Sequence, residues 1–220
     1  MKTTHSFIAR FSHWLSAIAI IILGASGLEI FMAFPSFGTK LPQSFEIPVP
    51  SFLTLGGWLG GALSWHLAFA WIFAGSFALY IVDLLRGGWR RIWLSAEEYR
   101  GIWPMARYYF LRGPKPDVKH IYNPLQKSAY LAMTAAMAGA LVTGATLAQP
   151  VQLRIVVSLL GGWQNLRIAH FACLCAFAGF LPGHLVMVAI AGRSALWTMI
   201  SGRTAAPVAG APARSELVAR

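Results

Sequence analysis

The stretch 164–191 reads QNLRIAHFACLCAFAGFLPGHLVMVAIA, and its only formal charge is Arg167. A hydrocarbon core about 30 Å thick needs roughly 20 apolar residues of helix to cross it, so this run predicts a membrane span. It carries two histidines, His170 and His184, fourteen residues apart. Fourteen residues fall about 40° short of four helical turns, which puts both imidazoles on one face. At about 1.5 Å per residue they lie roughly 21 Å apart along the axis. That is too far for one metal ion and suits two cofactors at two depths. A histidine at membrane depth is costly and is a functional-site candidate by default.

Working outward from this span, three more apolar runs are long enough to cross: 7–34, 58–85 and 124–148. The 220 residues are 57% hydrophobic and 11% charged, with a mean hydropathy of +0.59. A soluble domain would carry about 25% charged residues. The fold class expected is therefore an all-α integral membrane protein, a four-transmembrane-helix bundle with added interfacial helices. Lys2 and Arg10, followed by apolar residues, resemble a signal peptide's start. The run continues without a small-residue cleavage site, so it is read as a retained span. Cys173 and Cys175 lie one residue apart inside the fourth span, where they cannot bond to each other, and they read as small core residues.

The net charge of +11 is distributed by position. Fifteen of the eighteen Lys and Arg fall in the N-terminus, the 86–127 segment or the stretch after 191; only Lys40, Arg154 and Arg167 fall on the other side. Basic residues stay on the cytoplasmic side of a membrane. Both termini and the long basic loop are thus expected to be cytoplasmic. The charge is a topology signal, flanking spans at headgroup level, and no nucleic-acid partner is expected.

This topology gives each intramembrane histidine a depth. His13 lies in the first turns of the first span, toward the cytoplasm. His66 lies two turns into the second span, toward the outside. His170 is outer and His184 inner. The four sort into His66 with His170, and His13 with His184. Bis-histidine ligation of a haem iron needs two imidazoles on different helices facing a common gap, which a bundle interior offers. Gly24, Gly27, Gly75, Gly139 and Gly144 could leave room for macrocycles or simply let helices pack closely. A zinc or iron site lacks clustered acidic or thiol co-ligands. A proton relay would bring acids into the spans, yet Glu29 and Asp83 sit only at their ends. Arg10, three residues before His13, is a candidate contact for a haem propionate or an interfacial charge. His5 reads as a solvated residue, and His120 as a candidate for proton delivery.

The connections are unlike one another. Residues 35–57 hold four prolines; 149–161 reads as a short connection; 95–112 and 193–203 read as helices lying in the headgroup layer. Residues 1–203 form one membrane domain, and 204–220, rich in Ala, Pro and Arg, is expected to be a disordered cytoplasmic tail. Asn123, Pro124 and Gln126 open the third span as a capping box. The same polar cluster could hold a quinone head group.

The order Ser-His-Trp (12–14), Trp-His (65–66), Tyr-Asn-Pro-Leu-Gln-Lys (122–127), Arg-Ile-Ala-His (167–170) and Gly-His (183–184) resembles a known family. It is similar to the di-haem cytochrome b subunits of bacterial respiratory formate dehydrogenase, thiosulfate reductase and nickel-iron hydrogenase, over about residues 5–203. The resemblance implies two b haems stacked across the bilayer, the outer on His66 and His170 and the inner on His13 and His184. It also implies a quinone near the inner haem, contacted by Asn123 and Gln126, with His184 close by. The implied partner is a catalytic subunit on the periplasmic side, a molybdopterin or nickel-iron enzyme, sometimes joined through an iron–sulfur subunit. On this reading the chain is not catalytic alone and carries electrons between that partner and the quinone pool. The rival expectations are a transporter with a histidine-lined proton or metal path, and a structural anchor without haem.

Overall fold

The computed structural model describes residues 6–35, 49–111, 113–114, 116 and 123–203. His5, Lys40, His120, Tyr122, most of the 35–57 loop and the 204–220 tail lie outside the described residues.

Four long helices carry the fold: α1 (Phe7–Ala33), α2 (Leu59–Asp83), α5 (Pro124–Ala148) and α7 (Trp163–Ala191). Each is long and apolar enough to cross a membrane. The chain is an all-α integral membrane protein, as its composition requires. Shorter elements connect the spans: α3 (Trp89–Ile92), α4 (Ala96–Phe110), α6 (Arg154–Leu159) and α8 (Arg193–Ser201). The expected surface helices appear as α4 and α8. Helix α6 occupies a connection that reads as plain loop, because six residues are too few to display a helical period.

The spans pack as two antiparallel hairpins, α1 with α2 and α5 with α7, and the hairpins touch each other far less than their own members do. The first hairpin closes through small side chains. Ser12, Ser16, Ala19 and Ser26 on α1, and Ala62 and Ser76 on α2, are buried. Small residues let helices approach where lipid gives no hydrophobic drive to associate. The Ser16 and Ser76 hydroxyls bond across the contact at 2.8 Å. At the basic end Ser6 caps α1 by accepting the Ala9 N–H, and its hydroxyl donates to the Asp83 carboxylate at the end of α2.

After Asp83 the chain kinks within Leu84–Gly88, where Gly87 takes a φ of 124° that side chains strongly resist. The chain then turns from the bundle axis into α3 and α4. Ser95 and Glu98 form a capping box at the start of α4. Glu98 also binds the Lys127 ammonium at 2.6 Å, with both side chains about nine-tenths buried (8% and 10% exposed). This ion pair fixes α4 against the first turn of α5. At the other end of α7, Gly192 (φ 83°) turns the chain into α8. The last carbonyls of α8, which have no partner within the helix, are met from α1: Arg10 Nη1 donates to Ile200 at 2.9 Å and Trp14 Nε1 to Met199 at 3.2 Å.

Candidate functional site

The four intramembrane histidines meet where the hairpins face each other. His13 on α1 and His184 on α7 have ring centroids 6.0 Å apart. His66 on α2 and His170 on α7 have centroids 6.1 Å apart. Each pair joins one hairpin to the other, and α7 contributes to both. Between the two pairs in depth, Phe73 of α2 meets Phe177 of α7 edge to face at 6.4 Å. Phe177 is seven residues from either α7 histidine, about two turns, so it divides the gap into two compartments.

The residues present fit a planar macrocycle holding iron in each compartment. Two imidazoles that bind one metal from opposite sides, each nitrogen about 2.0–2.1 Å away, put their centroids roughly 6 Å apart. Among the described residues no three His, Cys, Asp or Glu side chains converge. Each pair would thus supply two imidazole donors to a metal, and a bound group would have to supply the rest. At the basic end, Arg10 Nε is a buried nitrogen with no hydrogen-bond partner, one helical turn from His13. It is placed to meet a carboxylate, while Nη1 of the same side chain serves α8.

The glycines divide by face. A Cβ on Gly27 would stand 3.2 Å from His66 Cε1, and one on Gly144 would stand 3.1 Å from His170 Cε1. These two make room for the imidazoles themselves rather than for a macrocycle. Gly24 and Gly139 admit Leu174 and Cys173, so they serve helix packing. Gly75 faces open space, nine residues from His66 and half a turn out of phase with it. Gly27→Ala and Gly144→Ala are therefore expected to perturb the absorbance or midpoint potential of the site built on His66 and His170. Gly75→Ala, with the same gain in helix propensity, leaves both unchanged. A reduced-minus-oxidised spectrum of each variant checks this; equal spectra for all three would count against the packing argument.

Asn123 and Gln126 are engaged by the cap of α5. Asn123 Oδ1 accepts the Gln126 N–H at 2.8 Å, and Gln126 Oε1 accepts the Asn123 N–H at 3.2 Å. Asn123 is buried, and its Nδ2 lies 3.4 Å from the Tyr109 hydroxyl of α4. Both amide oxygens are thus spent on the backbone. Sequence alone does not show that Tyr109 covers Asn123, because the contact is made by a separate helix.

At the end away from α4, a cavity of about 560 Å³ is lined by Ile30, Phe34, Leu147, Trp163, Gln164 and Arg167. Arg167 donates to Gln164 Oε1 at 3.0 Å and to the Phe34 carbonyl at 2.8 Å, and stacks over the Phe34 ring. Ile30, Leu147 and Arg167 each lie about one turn beyond residues that touch the His66–His170 pair, so the cavity opens at that site's edge.

The fold and site together define an all-α, multi-pass membrane protein with imidazoles paired at two depths. A family model described as prokaryotic cytochrome b561 matches residues 4–202. The chain is 34% identical over 202 residues to "Putative protein-methionine-sulfoxide reductase subunit YedZ1" of Azospira oryzae, a match covering 88% of this chain and 93% of that relative. No solved structure matches the chain. The chain belongs to the prokaryotic cytochrome b561 family, membrane proteins of electron transport that bind haem b.

Proposed function

We propose that this chain is the di-haem membrane subunit of a two-part reductase, taking electrons from quinol at its basic face and delivering them to a catalytic partner at the opposite face. The observation that carries the reading is the pairing of four histidines across the hairpin gap, at 6.0 and 6.1 Å. His66 and His170 hold the outer haem; His13 and His184 hold the inner one. A b haem supplies a one-electron couple, and the chain supplies its ligands, spacing and surroundings. Arg10 Nε binds an inner propionate. The Gln126 amide nitrogen, whose oxygen is committed to the cap, donates to a quinone carbonyl beside the inner site.

The basic face is the cytoplasmic side of the bacterial inner membrane, with both termini there, because fifteen of the eighteen Lys and Arg flank that end. The catalytic partner sits on the periplasmic side. The relative's printed name favours a reductase of methionine sulfoxide in proteins over the hydrogenase or formate dehydrogenase that the sequence motifs also admit. Such a reaction consumes two electrons and two protons per sulfoxide and yields thioether and water, so electrons run from quinol toward the partner. A molybdopterin centre in that partner is consistent with oxygen-atom removal.

The test is spectroscopic. The purified chain should show a b-type absorbance that a soluble quinol analogue reduces, and membranes that also hold the partner should be reoxidised by a protein carrying methionine sulfoxide. A chain without that absorbance, or one reduced by dithionite but not by quinol, would overturn the proposal. Failure of sulfoxide alone to reoxidise would overturn the partner assignment.

A further inference from the structure

The two histidines of the outer pair are held from behind by the same device. Ser26 Oγ on α1 lies 3.0 Å from His66 Nδ1, and Thr143 Oγ1 on α5 lies 2.8 Å from His170 Nδ1. Each hydroxyl belongs to the sister helix of the histidine's own hairpin. Each is followed by a glycine, Gly27 or Gly144, that the ring rests against. A hydroxyl has a single proton to donate. Ser26 places it on the Ile22 carbonyl at 2.7 Å, and Thr143 on the Gly139 carbonyl at 2.6 Å, both four residues back in the helix. The oxygen that faces each imidazole therefore presents a lone pair. Each ring also meets a backbone carbonyl of the same sister helix, Leu23 or Ala140, and both acceptors call for the hydrogen on Nδ1. The remaining ring nitrogen, Nε2, is then the unprotonated one, the form in which imidazole ligates a metal.

We propose that Ser26 and Thr143 are positioning residues for the outer haem, fixing the Nδ1–H tautomer of His66 and His170 and lowering the midpoint potential of that site. The proposal rests on the reading of His66 and His170 as haem ligands. A hydrogen bond donated from Nδ1–H makes the ring a more basic ligand, which favours the oxidised metal. Changes to such supporting groups typically alter metal affinity by about tenfold or more. At the inner pair, His184 stacks on the Phe180 ring at 5.3 Å and 22°.

The experiment is a redox titration of the purified full-length protein with haem counted separately, in wild type, His66→Ala, Ser26→Ala, Ser26→Thr, Thr143→Val and Thr143→Ser. His66→Ala identifies the outer component by removing it. Ser26→Ala and Thr143→Val should each raise the midpoint of that component alone, by roughly the 59 mV that corresponds to a tenfold change for one electron. Ser26→Thr and Thr143→Ser, which keep a hydroxyl, should stay near wild type. Loss of the outer haem only, in Ser26→Ala or Thr143→Val, also supports the role. An unmoved midpoint in both, or an equal shift in the hydroxyl-keeping variants, overturns it. If His66→Ala leaves the haem content intact, the ligand assignment itself fails, a result separate from any behaviour of Ser26 and Thr143. A variant that loses all haem is a folding failure, and the other hydroxyl's pair of variants then decides.

Discussion

Replacing His170 and His184 together by alanine is expected to abolish b-type absorbance altogether, whereas either single change should remove half of it. The expectation follows from α7 supplying one imidazole to each pair, with partners on α2 and α1. Removing one imidazole would leave a single donor side chain in that compartment, and no third ligand converges there among the described residues. The sharper test is the pattern of double substitutions. His13→Ala with His184→Ala should cost no more haem than either alone, because both empty one compartment. His66→Ala with His184→Ala should cost all of it. Haem quantified per mole of purified protein distinguishes these cases, and simple additivity within the His13–His184 pair would break the pairing scheme.

Loss of the Lys127 cation should be the most damaging change outside the histidine compartments. The Lys127 and Glu98 side chains cover each other, and removing one partner is expected to cost about 1–3 kcal/mol, because the other charge loses its strongest hydrogen bond. Lys127 also reaches the Trp93 carbonyl at 3.3 Å, so Lys127→Met releases α3 and α4 together from the start of α5. Glu98→Gln should be milder, since an amide oxygen can still accept from the Ser95 N–H. The double variant should recover part of the loss. Lys127 and then the Ser95 amide hold the Glu98 carboxyl well below the usual carboxylate range, at about 2. A depressed folded value means the stabilisation is complete above the unfolded carboxyl's value, about 4.3, and fades as pH falls toward about 2. Thermal unfolding in detergent between pH 6 and 3 (roughly, the window set by those values) should therefore show a steeper acid loss in wild type than in Lys127→Met. Parallel curves would mean that the pair contributes nothing.

The four spans were readable to within a residue or two because apolar length is a local property of the chain. The caps at Ser95 and Asn123 were equally readable, since a capping box is written in four consecutive residues. Depth could be assigned to each histidine from charge asymmetry, and the structure brings together the same partners that matched depths suggest. What the sequence could not display are contacts between distant helices. Arg10 meets Ile200 across 190 residues, and Ser26 reaches His66 across 40. Nothing in the local pattern distinguishes Ser26 from Ser16, whose hydroxyl faces Ser76 instead. Helix α6 and the kink at Gly87 escaped for a different reason, being shorter than one reliable period of the hydrophobic pattern.

The division of the bundle into two self-packed hairpins bears on how the protein is made and how long it lasts. Each hairpin can close on its own as it leaves the insertion machinery, and outside the histidine compartments the two are joined by scattered links at their ends and flanks, such as Arg10 to Ile200, Arg167 to Phe34 and Tyr80 to Thr134. A haem liganded as proposed would act as the rivet between them, so that its insertion is the last step of assembly and its binding energy is part of the folding energy. Without haem the two hairpins would be held together less firmly, so the steady level of the protein is expected to fall when haem is scarce.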